Sequence, residues 1–309
     1  MNLIDENELS ELIKGLLSEA SAVIAPGEVR LSLHDNLTFN VDVQTVVESN
    51  GDYTIYIKPE TIHNEYKISH EILHIIVRRL VPNFVRVLEP NIVGMIGSEL
   101  QGYLEHVWIL AEQKRRGLVI DELGLYPDIE ETIGSDEKGL ETNFNRIMIL
   151  NTILHIHPLV FEKHKDFFSK NNPKSLEIAQ KIMSHYPKQE LYSNYEARKA
   201  TVSAIKEWNS VFRDNGLKHV NLNILLSVVP VFSAAQLKRT AGVILGMVPN
   251  AIVNHEKRTA SHVLLTLSDG QCCVVFSMDE NGLKALENYL QKMTLEEFLQ
   301  MARMPYLLR

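Results

Sequence analysis

Apolar residues recur at helical spacing through Leu9, Leu12, Ile13, Leu16 and Leu17, and Pro26-Gly27 closes the pattern, so residues 5–24 are predicted to be helical. Val29–Leu33, Leu37–Val47 and Tyr53–Ile57 are rich in β-branched and aromatic side chains and read as strands. Asn50-Gly51-Asp52 joins the last two as a hairpin. Pro59 breaks the strand, and a helix is expected from Thr61 to Leu80. A loop marked by Pro82, Pro90, Gly94 and Gly97 should follow, then a helix from Ser98 to Arg116 capped by Gly117.

Residues 118–139 are acidic and turn-rich and suggest a mobile surface segment. From Leu140 to Gly216 the pattern is helical, divided near Asn171-Asn172-Pro173 and at Pro187. The segment 222–253 is apolar and open between helix and strand. Asp269-Gly270 joins His262–Leu267 to Gln271–Ser277 as a second hairpin, and helices are expected over Asp279–Lys292 and Thr294–Ala302. The fold class is therefore α+β. The expected domains are residues 1–139 with a small sheet, a helical region over 140–218, and a small α+β module over 219–309.

Composition narrows the function classes. With 309 residues, 45% hydrophobic and 23% charged, the chain can bury a substantial core. A formal net charge of −8 argues against a general nucleic-acid binder. The run Lys114-Arg115-Arg116 reads as complementing a helix dipole. The only cysteines, Cys272 and Cys273, are adjacent and point to opposite faces of a strand, which suits neither a disulfide framework nor a metal pair. The acidic start of the chain lacks the pattern of a signal peptide, and no apolar run reaches the length of about 18 residues that a membrane span needs. A cytoplasmic location is expected.

The candidate chemistry sits at His70-Glu71-Ile72-Leu73-His74. On a helix, positions i and i+4 share one face, so the two imidazoles can converge on one metal ion, with Glu71 beside it as a base. Ile68, Ile72, Leu73, Ile75, Ile76 and Leu80 make the helix extensively apolar, and a zinc ion would offset the cost of burying these polar groups there. A catalytic zinc site uses three protein ligands and an open fourth position. The helix over 98–116 offers Glu99, Glu105 and His106 as the third, and helical spacing does not choose among them.

HEILH after a strand resembles the metallopeptidases of the ImmA/IrrE type, and more broadly the small zincins, in which a strand lies beside the substrate cleft. The stretch Tyr103-Leu104-Glu105-His106, with Gly117 beyond it, is similar to an aliphatic-acid-His…Gly pattern in bacterial relatives of that group. That resemblance implies His106 as the third ligand, whereas the better-known members use a downstream glutamate, which implies Glu105 or Glu99. It covers residues 1–120, and Leu73 stands where the family motif has glycine.

The expected activity is zinc-dependent hydrolysis of a peptide bond in a protein or peptide substrate, with Zn2+ as cofactor and Glu71 as catalytic base. No nucleic-acid or membrane partner is expected. By resemblance the substrate is a regulatory protein. The alternative is a non-catalytic binding or scaffold protein that retains a zincin fold. Tyr103 is a candidate oxyanion donor, with a packed core aromatic as the favoured reading. His155 and His157 should diverge at a helix end before Pro158, and His164, His185, His219, His255 and His262 read as solvated.

Overall fold

A computed structural model describes residues 2–35, 37, 42–80, 84–87, 92–118, 122–186, 193–217, 220–254 and 259–309. The architecture is α+β: an N-terminal mixed sheet adjoins the HEILH helix, a helical middle follows, and a small α+β module ends the chain. The chain divides into two compact units, residues 1–82 with 105–121, and residues 83–104 with 122–309.

The first unit holds β1 (Asn2–Leu3), α1 (Glu11–Ile24), β2 (Val29–Leu33), β3 (Val43–Val47), β4 (Tyr53–Ile57), α2 (Glu65–Leu80) and the C-terminal part of α3 (Ile92–Arg115). The sheet order is β1-β2-β4-β3, with β2 and β4 parallel and the other pairs antiparallel. The chain thus passes from β2 to the edge at β3 and turns back into β4. Gly51, at φ 90°, makes that turn possible, because a side chain is strained in that conformation. Leu31, Ile55, Ile57, Ile68, Ile72 and Ile76 form the core between the sheet, α1 and α2.

The strand expected over Leu37–Val47 is observed as Val43–Val47; residues 38–41 lie outside the described residues, as do Pro82, Pro90, Pro187, His219 and His255. The helix expected from Thr61 begins at Glu65. Pro59 starts a 3-10 turn instead, and the Asn64 side chain accepts from Lys67 N to set the α-helical start. Gly94 and Gly97, read as loop, lie inside α3, which starts at Ile92. Burial of Val93, Ile96 and Leu100 along one face overrides the two glycines there. Gly117, at φ 75°, ends α3: Gly117 N reaches Lys114 O and Leu118 N reaches Gln113 O, the paired bonds of a Schellman cap.

The second unit contains β5 (Val85–Val87), α4 (Glu122–Leu125), α5 (Ile129–Ile133), α6 (Leu140–Ile156), α7 (Pro158–Asn171), α8 (Pro173–Met183) and α9 (Asn194–Asp214). Then come α10 (Leu222–Leu225), β6 (Leu226–Val228), β7 (Val231–Phe232), α11 (Ala234–Leu237), β8 (Leu245–Asn254), β9 (Thr259–Thr266), β10 (Cys272–Phe276), α12 (Glu280–Lys292), α13 (Leu295–Met301) and β11 (Leu307–Leu308). The turn-rich segment 118–139 therefore carries two short helices, and buried Ile129 and Ile133 tie it to the core of α6, α7 and α8. Strand β9 lies between β8 and β10, and both α12 and α13 pack on the core of that module.

Two histidine readings change. His262, read as solvated, is buried: its Nδ1 accepts from Asn250 N at 3.0 Å and its Nε2 lies 3.3 Å from Met278 O. His164 pairs with Glu130 at 2.7 Å. His157 caps the junction of α6 and α7 and is buried against the Tyr126 ring. Burial, with the neighbouring His155, pushes the His157 imidazole down to about 4.

The unfolded chain protonates His157 near pH 6.5, so between that pH and about 4 it binds more protons than the native state. Stability is complete above pH 6.5 and falls on acidification, by up to on the order of 3 kcal/mol from this residue. Urea midpoints measured from pH 7.5 to 4.5 should fall for the native chain and fall less for His157→Asn. Equal slopes would refute the assignment.

Candidate metal centre

Helix α2 has two faces. Ile68, Ile72, Leu73, Ile75 and Ile76 are buried in the core of the first unit, while His70, Glu71 and His74 are half-buried. The i, i+4 spacing puts His70 and His74 on one side of the helix, with their ring centroids 4.9 Å apart.

The third imidazole comes from α3. His106 lies 5.1 Å from His70 and 5.0 Å from His74 between ring centroids, so the three rings form a nearly equilateral set. One ring nitrogen from each lies within 4.8 Å of the other two, and this is the group among the described residues that could hold a metal ion. Small ring rotations would bring that spread toward the roughly 3.4 Å separation of ligand nitrogens about a tetrahedral zinc.

Two side chains of α3 hold this part of it against α2. Gln113, fully buried, donates from Nε2 to Tyr66 O at 2.9 Å and to Ser69 Oγ at 3.0 Å. Glu105, 2% exposed, accepts from His74 Nδ1 at 2.8 Å, and Arg78 Nε lies 3.4 Å from the same oxygen. Glu105, Ile109 and Gln113, at i, i+4 and i+8, thus form the row of α3 that the first unit buries. The sequence places Leu100, Leu104, Val107 and Ala111 on the apolar face of this helix, but Val107 and Ala111 are only half-buried. Glu105 and Gln113, which hydrogen-bond to α2 inside the unit, take the buried row with Ile109 instead.

Glu105 and His106 are adjacent yet do different things. With Nδ1 engaged by a carboxylate, His74 has Nε2 left for a metal, a pairing that fixes ring orientation and raises ligand basicity. Glu99 accepts a hydrogen bond from the Tyr103 hydroxyl; Tyr103 is buried, and Glu99 is half-buried with its Oε2 shut off from solvent. Burial pushes the Glu99 carboxyl well above the usual carboxylate range and the Tyr103 hydroxyl further up as well. The Tyr103 carbonyl also meets His155 Nε2 at 3.0 Å, which places Tyr103 in a buried polar cluster.

Glu71 has a partner that helical spacing does not suggest. Thr45 Oγ1 on β3 donates to Glu71 Oε2 at 2.7 Å. Its signal in the sequence is weak, one hydroxyl among the valines of Val43–Val47. The basic run at the end of α3 is engaged locally: Arg115 and Arg116 pair with Glu112, and Arg116 also pairs with Glu19. The Arg115 hydrogen bond and Arg116 hold the Glu112 carboxyl down at about 2. Cys272 and Cys273 are buried; burial pushes the Cys272 thiol up to about 11 and the Cys273 thiol higher, so neither is an activated nucleophile.

Among the described residues no helix is long and apolar enough to cross a membrane. Comparison with models of protein families, with curated proteins and with solved structures finds no match to this chain.

Proposed function

We propose that the chain is a zinc-dependent peptidase of the HExxH type, in which His70, His74 and His106 hold the ion and Glu71 is the general base. The convergence of three imidazoles from two helices, beside the glutamate of the same motif, is the observation that carries this reading. The donor set fits zinc. Three neutral nitrogen ligands leave a fourth position open, as in catalytic rather than structural zinc sites. The Glu105 carboxylate on His74 supplies the outer hydrogen bond that metal-ligating histidines commonly have.

Bound zinc would supply Lewis acidity, polarising a carbonyl and making water nucleophilic near neutral pH. Glu71 would accept a proton from the attacking water as the water oxygen bonds to the carbonyl carbon. As the C–N bond breaks, Glu71 would return that proton to the leaving nitrogen. Strand β3, at the edge of the described sheet, would offer backbone groups to an extended peptide, which favours a peptide over a smaller substrate.

The test is cleavage of a degenerate peptide library by the purified, zinc-loaded chain, read as new amino termini by mass spectrometry. The chain should hold about one equivalent of zinc. Glu71→Gln should keep the metal and lose cleavage. A chain that holds zinc and leaves the library intact would instead favour a binding or scaffold protein.

A further inference from the structure

Glu71 reaches its reacting position on a long side chain, and helix α2 by itself does not hold the carboxylate in place. We propose that Thr45 is the positioning residue for Glu71, an inference that rests on the peptidase reading above. Thr45 lies in the middle of β3, its backbone paired with Ile55 of β4, whose side chain is fully buried. Side-chain alternation puts Val43, Thr45 and Val47 on one face of the strand. Val43 packs against the core that α2 helps to build, and α2 packs against β3. Thr45 therefore presents a hydroxyl where the strand meets the helix, and the 2.7 Å contact with Glu71 Oε2 is where that hydroxyl is used.

Four properties suit Thr45 to positioning. A β-branched side chain in a strand has few accessible rotamers, so the hydroxyl is a fixed point. An ionised carboxylate only accepts, so the single hydroxyl proton must point from Thr45 to Glu71. The bond also makes the two carboxylate oxygens inequivalent: Oε2 is held by β3, and Oε1 is left to receive the proton. The anchor is a strand paired along its length to β4, not another mobile side chain.

The inference is tested on the zinc-loaded full chain with two small probes, without a substrate. Acetohydroxamic acid gives up its hydroxyl proton on chelating a metal as acetohydroxamate, and a correctly placed carboxylate receives that proton. Azide needs only the metal. Thr45→Val should weaken acetohydroxamate binding by about tenfold or more, the scale of a lost hydrogen bond to a charged group, with azide binding unchanged. Thr45→Ala should behave like Thr45→Val, and Thr45→Ser should bind both probes like the native chain.

Thr45→Val or Thr45→Ala binding acetohydroxamate as tightly as the native chain would overturn the inference. So would a failure of Thr45→Ser to restore binding, or equal losses for acetohydroxamate and azide. In each of these cases the native chain still binds zinc and the hydroxamate, and the peptidase reading stands. A native chain that takes up no zinc would overturn that reading, and this inference with it.

Discussion

Replacing His106 by alanine is expected to weaken zinc binding by more than about a hundredfold. Structural zinc sites with four ligands bind with about 10–16 kcal/mol, so one ligand represents roughly 3 kcal/mol. The same substitution at the neighbouring Glu105 should cost less, about 10–100-fold, because that side chain acts through His74. Competition with a chromophoric chelator at pH 7.5 would rank the two. Equal losses, or a larger loss at Glu105, would move the third ligand from the histidine to the glutamate. His106 and Glu105 occupy successive positions of α3, so this comparison separates direct ligation from support of a ligand without moving the helix.

The second large effect is expected far along the chain, at Arg198 on α9. This residue is 5% exposed, and among the described residues its side-chain hydrogen bonds end inside the second unit. Nη1 donates to Val228 O at 2.9 Å and Val229 O at 3.0 Å. Nη2 donates to Thr266 Oγ1 at 2.9 Å and Asp269 Oδ2 at 2.9 Å. One side chain thereby joins α9 to the end of β6 and to the turn between β9 and β10. Arg198→Ala would leave the Val228 and Val229 carbonyls without this donor and the Asp269 carboxylate with only Thr266 Oγ1 and Gln271 N, and should destabilise this unit by about 3–5 kcal/mol. Arg198→Lys should recover only part, because an ammonium cannot reproduce the planar fork. Urea unfolding followed through the fluorescence of buried Trp208 would measure both. A loss below about 1 kcal/mol for Arg198→Ala would show that water replaces the guanidinium at little cost.

Much of the fold was legible because its determinants are local. Both helices at the end of the chain start where the sequence places them, since Asp279 accepts from Gly282 N and Thr294 forms a capping box with Glu297. The two hairpin turns were legible through Gly51 and Gly270, both at positive φ. The metal motif was legible for the same reason, its two histidines being four residues apart.

What was not legible depends on partners distant in sequence. Gly94 and Gly97 read as loop because their helix is stabilised by burial, not by its own composition. The segment 222–253 stayed open because it breaks into elements of two to four residues before β8, too short to show a period. The choice among Glu99, Glu105 and His106 was beyond periodicity for a different reason. Each lies on α3, and only the Tyr103 hydroxyl, the His74 ring and the approach of α2 assign them different surroundings. His262 misled because its partners, Asn250 and Met278, lie on other segments and nothing in its own stretch of sequence points to them.

The turn at Gly51 has a consequence for how the site can be lost. Side chains alternate along β3 with a period of two, and the length of the link from Val47 to Tyr53 sets which residue stands opposite Ile55. One residue inserted or deleted in that link would slip the register and turn Thr45 to the other face, bringing Gln44 or Val46 toward α2. A change in loop length would then act as a substitution of the residue that holds Glu71, with every histidine of the metal group untouched. Surface loops usually tolerate insertions; this one is constrained by parity, and a tolerated change would add or remove residues in pairs.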